Sequence, residues 1–181
     1  TEQDIERLMR GETPEQRASV AHRVCRRIAL DVLSDREKAF ADEIMGILAE
    51  DSADLVRRTL SVTLRNSPVL PRAIALKLAQ DIEAVAIPVL QDSPVFTDED
   101  LIELVLAVTA AKQAAIANRE TLSITLTEVI SEHGAVEAVR AASRNEGAEY
   151  SDKAFDDTLR RFGQDEIVQT GLIKREFIPT H

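Results

Sequence analysis

The chain has 181 residues, with 22 Lys and Arg against 32 Asp and Glu, and a formal net charge of −10. Its 44 % apolar content is nearly all aliphatic, with 3 % aromatics, no Trp, six Gly and six Pro, which favours closely packed helices over a turn-rich sheet protein. No apolar run reaches the roughly 20 residues of a membrane span, no leader segment opens the chain, and an acid excess opposes phosphate binding, so the expectation is a cytoplasmic protein with protein partners, no nucleic acid and no membrane.

Residues 2 to 9 suit one or two helical turns before Gly11. Thr13-Pro14-Glu15-Gln16 then reads as an N-cap, a Pro at the first helical position and a capping-box Gln. The helix it opens is predicted from about Pro14 to Val32, with Val20, Val24, Ile28 and Val32 forming a stripe that Cys25 and Leu30 widen. Ser34-Asp35-Arg36-Glu37 is a second capping box, predicting a helix to about Ala49 with Phe40, Ile44, Ile47 and Leu48 inward. These two helices are expected to form an N-terminal hairpin over residues 1–50.

Beyond residue 50 the predicted helices shorten. Asp51 or Ser52 caps one through Leu55, Val56, Leu60 and Leu64; Pro71 opens another through Ile74 and Leu78; Asp81 caps a third through Val85, Val89 and Leu90, in which Pro88 is expected to cause a kink or an early stop. Thr97, Ser123 and Ser151 start helices over 98–108, 124–133 and 152–162, with Gly134 and Gly163 as stops after the last two. Further helices are expected over 110–117, 135–142 and 165–175.

A phrase punctuates this series. Leu64-Arg65-Asn66, Leu90-Gln91-Asp92, Ile116-Ala117-Asn118 and Ser143-Arg144-Asn145 place a small polar residue at intervals of 26, 26 and 27, each followed by a helix starter at Pro71, Thr97, Ser123 or Ser151. Such a period marks stacked helical repeats, whose short helices need one another to be stable. The fold expected is all-α: a helical-repeat array over 51–181, of about five short helix pairs, behind the N-terminal helical hairpin. The array also holds most of the acid excess, since residues 71–150 carry 13 acidic and 6 basic side chains.

Four segments share small and branched aliphatics around a charged position: Asp54-Leu55-Val56-Arg57-Arg58, Glu83-Ala84-Val85-Ala86, Lys112-Gln113-Ala114-Ala115-Ile116 and Glu137-Ala138-Val139-Arg140. They resemble the inner helices of HEAT-like repeats. Ser93-Pro94-Val95-Phe96-Thr97-Asp98-Glu99-Asp100-Leu101, the Ala115-Ile116-Ala117-Asn118-Arg119 phrase and the order of short helices are similar to a bacterial family of HEAT-like-repeat proteins, a domain of unknown function, over roughly residues 20 to 160. That resemblance implies a HEAT-like solenoid and brings no assigned activity, so it supplies no catalytic residue and no cofactor.

The residues themselves offer little chemistry. His22 and Cys25 are spaced to reach one metal ion from one helix, but no further ligand stands nearby, and Cys25 reads as core; a lone Cys forms no internal disulfide. His133 before Gly134 suits a helix C-terminus, and His181 is terminal. Asp51 with Asp54, Asp98-Glu99-Asp100 and Asp156-Asp157 fall mostly in first helical turns, where carboxylates meet the positive end of the helix dipole. The expected function is a non-enzymatic protein-interaction or adaptor module with no metal and no cofactor. Its candidate surface combines Glu83, Lys112, Gln113, Glu137 and Arg140 on the second helices with Arg23, Arg26 and Arg27 on the first long helix, and the hairpin is a candidate homodimer seam. A rival reading makes His22 the phosphoacceptor of a phosphotransfer and dimerisation module. Another, a nucleic-acid-binding repeat, needs a basic groove from Arg23 to Arg58 and runs against the net charge.

Overall fold

The computed structural model describes residues 13–176, which form eleven helices joined by short turns. They are α1 (Pro14–Leu30), α2 (Asp35–Ala49), α3 (Asp54–Leu64), α4 (Arg72–Gln80), α5 (Glu83–Asp92), α6 (Asp98–Ala107), α7 (Ala110–Ala117), α8 (Ile124–His133), α9 (Val136–Arg144), α10 (Asp152–Phe162) and α11 (Glu166–Glu176). Among the described residues β-type pairing is limited to an isolated parallel bridge between Leu122 and Ala148. The fold is therefore all-α, as expected; the turns expected over residues 2 to 9, and His181, lie outside the described residues.

Local chemistry sets most helix starts. Thr13 and Gln16 close a reciprocal capping box on α1, Ser34 and Glu37 do so on α2, and Thr97 and Asp100 on α6, so each start has otherwise orphaned N–H groups satisfied. The Ser123 and Ser151 hydroxyls accept from Leu126 and Ala154 N–H at the starts of α8 and α10. Asp51 and Asp81 stand just outside their helices, which open at Ala53 and Ile82. Pro88 neither stops nor shortens α5, which runs to Asp92. α1 ends two residues early: Asp31 leaves in an extended conformation and Val32 is fully exposed.

The chain divides into two compact units, 1–96 and 97–181. In the first, α1 packs on α3 and α3 on α5, while α2 packs on α4. The second repeats the scheme, with α7 on α9 on α11 and α6 on α8 on α10. Each helix thus meets the next but one, giving two layers per unit. Leu60, Leu64, Leu78, Val85 and Leu90 are fully buried in the first unit, and Ile116, Ile130, Ala138, Val139 and Val168 in the second. Each large aliphatic contributes about 1.5–3 kcal/mol on burial.

The expected N-terminal hairpin is not self-packed. α1 lies along α3 and meets α2 only sparsely, whereas α2 leans on α3 and α4. α1 is thus the first member of one layer and α2 of the other, and the two splay apart from their shared turn.

Candidate functional site

Within each unit, the odd-numbered helices are tied to one another by one recurrent device. From α1, Arg17 Nε and Nη2 both donate to Asp51, just before α3, at 2.9 Å. From α3, Arg57 Nε and Nη2 donate to Asp81, just before α5, at 2.6 and 3.0 Å. From α7, Gln113 donates to the Val105 carbonyl at 2.6 Å and accepts the Ala135 N–H, at the N-cap of α9, at 2.8 Å. From α9, Arg140 Nε donates to Asp165, just before α11, at 2.9 Å. Ala86 holds the matching place in α5 and has no polar side chain to offer.

The receiving aspartates also serve their own helix starts. Asp51 Oδ1 accepts from Ala53 N–H, and Asp165 Oδ1 from Ile167 and Val168 N–H. Burial pushes the Asp51 carboxyl up, but the Arg17 hydrogen bond, the Ala53 N–H and the charges of Arg17 and Arg57 together hold it below its usual value. The Arg140 hydrogen bond lowers Asp165, with the Val168 and Ile167 N–H groups adding to the effect. These are charge-assisted, two-pronged contacts that fix one helix against the next.

This device engages two of the residues expected on the surface of the second helices. Gln113 and Arg140 are engaged in it, and Lys112 is only 7 % exposed. Glu83 and Glu137 are exposed. The signal that would have found the rungs is present in the sequence: Arg or Gln in the early turns of alternate helices, and Asp just ahead of the next helix in that layer.

The residues expected to carry other chemistry are accounted for locally. His22 is exposed on α1 with Nδ1 3.2 Å from the Thr63 hydroxyl of α3. Cys25 is fully buried, and burial pushes its thiol up to about 12, so it is a core side chain and not a nucleophile at neutral pH. His133 lies 3.7 Å from Glu132 at the end of α8. Asp100 accepts the Thr97 N–H, and Asp157 pairs with Lys153 and Arg160 at 2.9 and 2.6 Å. Among the described residues no group of three or more His, Cys, Asp or Glu is placed to hold a metal ion.

What stays open is the splay between α1 and α2. A cleft of about 900 Å³ separates them, floored by Val24, Ile28, Leu33, Phe40 and Ile44. The α1 wall carries Arg23 and Arg27, with Asp31 beside the turn; the α2 wall carries Glu37 and Glu43, with Arg36 beside the turn. Arg26 is exposed next to this wall. Leu30 and Val32, at 74 % and 102 % exposure, are the most exposed large apolar side chains among the described residues, and they flank the same turn.

No curated protein and no solved structure matches the chain. A family model described as "uncharacterised protein conserved in bacteria" matches residues 85–181, from within α5 to the end of the chain. The match spans more than half of the 181 residues, and the chain belongs to that bacterial family, DUF2336.

Proposed function

We propose that this protein is a non-enzymatic interaction module, a HEAT-like helical-repeat array that receives an amphipathic helical segment in the α1–α2 cleft. The cleft carries the reading: it joins an apolar floor to two charged walls, while the polar side chains of the later odd helices are largely used between helices. The alternation of two layers and the recurrent Arg–Asp rungs support the repeat description, since arrays of this kind hold together by nearest-neighbour contacts and leave extended faces for partners. A helix laid in such a groove is read by apolar anchors about every third or fourth residue.

The test is a photoreactive amino acid in place of Phe40, compared with one in place of Thr125 on the exposed side of α8, in bacterial cells that carry the protein. A discrete adduct from position 40 and none from 125 is expected. Absence of any adduct from position 40 removes the cleft as a docking surface.

A further inference from the structure

We infer that the partner helix in the α1–α2 cleft is supplied by a second copy of this chain, so that two copies associate face to face through the same cleft; this rests on the cleft being a docking surface, as proposed above. The argument is the order of charges along the two walls. Counted outward from the shared turn, α1 presents Asp31, then Arg27, then Arg23, and α2 presents Arg36, then Glu37, then Glu43. Position by position the two walls are opposite in sign.

Within one chain no ion pair closes across the cleft among the described residues; Glu37 is held below its usual value chiefly by Ser34, with the Arg27 charge adding a smaller part. Among the described residues, Arg23, Arg36 and Glu43 form no ion pair, Arg27 pairs along its own helix with Asp31 at 3.2 Å, and Glu37 is held by Ser34 at its own helix start. A two-fold axis running along the cleft lays the α1 wall of one copy over the α2 wall of the other. Arg23 then faces Glu43, Arg27 faces Glu37 and Asp31 faces Arg36, each contact made twice. An axis running across the cleft would lay each wall antiparallel on itself, setting Arg27 against Arg27 and Glu37 against Glu37, and would leave fewer opposite-charge pairs. The axis along the cleft also brings Phe40, which is 39 % exposed, onto the apolar floor of its partner.

The size of the face sets the strength. Helices of 17 and 15 residues are about 25 and 22 Å long, so a patch two helices wide buries on the order of 1,000 Å² in total, the lower edge of specific interfaces. An interface of that size sits at the weak, transient end of specific contacts, so the association is expected to depend on protein concentration.

Light-scattering mass against concentration tests this. The wild type should rise from 20.0 kDa toward twice that value. Phe40→Glu should stay monomeric with unchanged helicity, because that side chain is exposed. Arg23→Glu with Arg27→Glu makes both walls acidic, and Glu37→Gln with Glu43→Arg makes both basic while keeping a capping-box residue. Each of these two variants should be monomeric alone, and an equimolar mixture should recover the dimer. A wild type that holds 20.0 kDa at every concentration overturns the inference, as does a dimer that neither wall variant disturbs. The photoreactive position 40 separates the two claims: an adduct of twice the chain mass agrees with both, and an adduct with a different protein from a monomeric chain keeps the docking surface and removes the second copy. No adduct removes both.

Discussion

At the scale of single residues, the arginine rungs are charge-assisted contacts that tie one helix to the start of the next in its layer. Arg57 binds Asp81 through two nitrogens and also donates to the Asp51 carbonyl at 2.8 Å, with its side chain only 18 % exposed. Arg57→Ala removes the guanidinium from a largely buried Asp81 carboxylate, and hydrogen bonds to charged groups are worth about 1.5–3 kcal/mol. The expected loss is roughly 2 kcal/mol in urea unfolding, with the m-value unchanged. The same rungs give the fold an acid limb. Asp51 and Asp165 both titrate lower when folded than when unfolded, so their contribution is fully present above the ordinary aspartate value of about 3.9 and is lost as pH falls through that value toward the folded one. Thermal stability should therefore drop steeply below about pH 4, and Asp165→Asn should lower stability at neutral pH while flattening that acid limb. Cys25 supplies a reporter for the first unit: buried and shifted to about 12, its thiol should resist alkylation in the native protein and react only as α1 detaches.

At the scale of elements, helix starts were legible in the sequence and helix partners were not. Thr13, Ser34, Thr97, Ser123 and Ser151 each start the helix expected of them, because a cap is closed by residues within three positions and needs no tertiary context. The buried faces depend on packing. α2 turns Ala41, Ile44, Met45 and Leu48 inward and leaves Phe40 out, since its neighbours are α3 and α4. On α1 the helix ends at Leu30 and Asp31 leaves in an extended conformation, so Val32 falls outside the stripe and stands fully exposed. The rungs escaped notice because they join residues 22 to 34 positions apart. The close approach of α9 and α11 was equally hidden. A Cβ built at Gly171 would lie 2.6 Å from the Ser143 carbonyl oxygen, while Arg175 on the same helix donates to the Ala142 and Ser143 carbonyls at the end of α9. Gly171→Ala gains helix propensity but must push the two backbones apart; the strain should win, with a net loss of about 1–3 kcal/mol and a lower melting temperature. A neutral or stabilised variant would mean that α11 shifts freely along α9.

At the scale of the whole molecule, stability is organised by unit. Each unit has its own buried core and its own rungs: Arg17–Asp51 and Arg57–Asp81 lie within residues 1–96, and Gln113–Ala135 and Arg140–Asp165 within 97–181. Where contacts are mostly between neighbouring helices, opening follows those neighbours and does not spread evenly along the chain. Arg57→Ala weakens the tie between α3 and the start of α5, and the helices that share that layer should lose protection first. In native-state hydrogen exchange, the amides of α3 and α5 should exchange faster in this variant, by roughly thirtyfold for a loss near 2 kcal/mol, while those of α8 to α11 keep their wild-type rates. Gly171→Ala should produce the converse, with faster exchange in α9 and α11 and unchanged rates in α1 to α3. If instead either substitution accelerates exchange equally in both units, the protein opens as one cooperative body and the division at residue 96 has no energetic meaning.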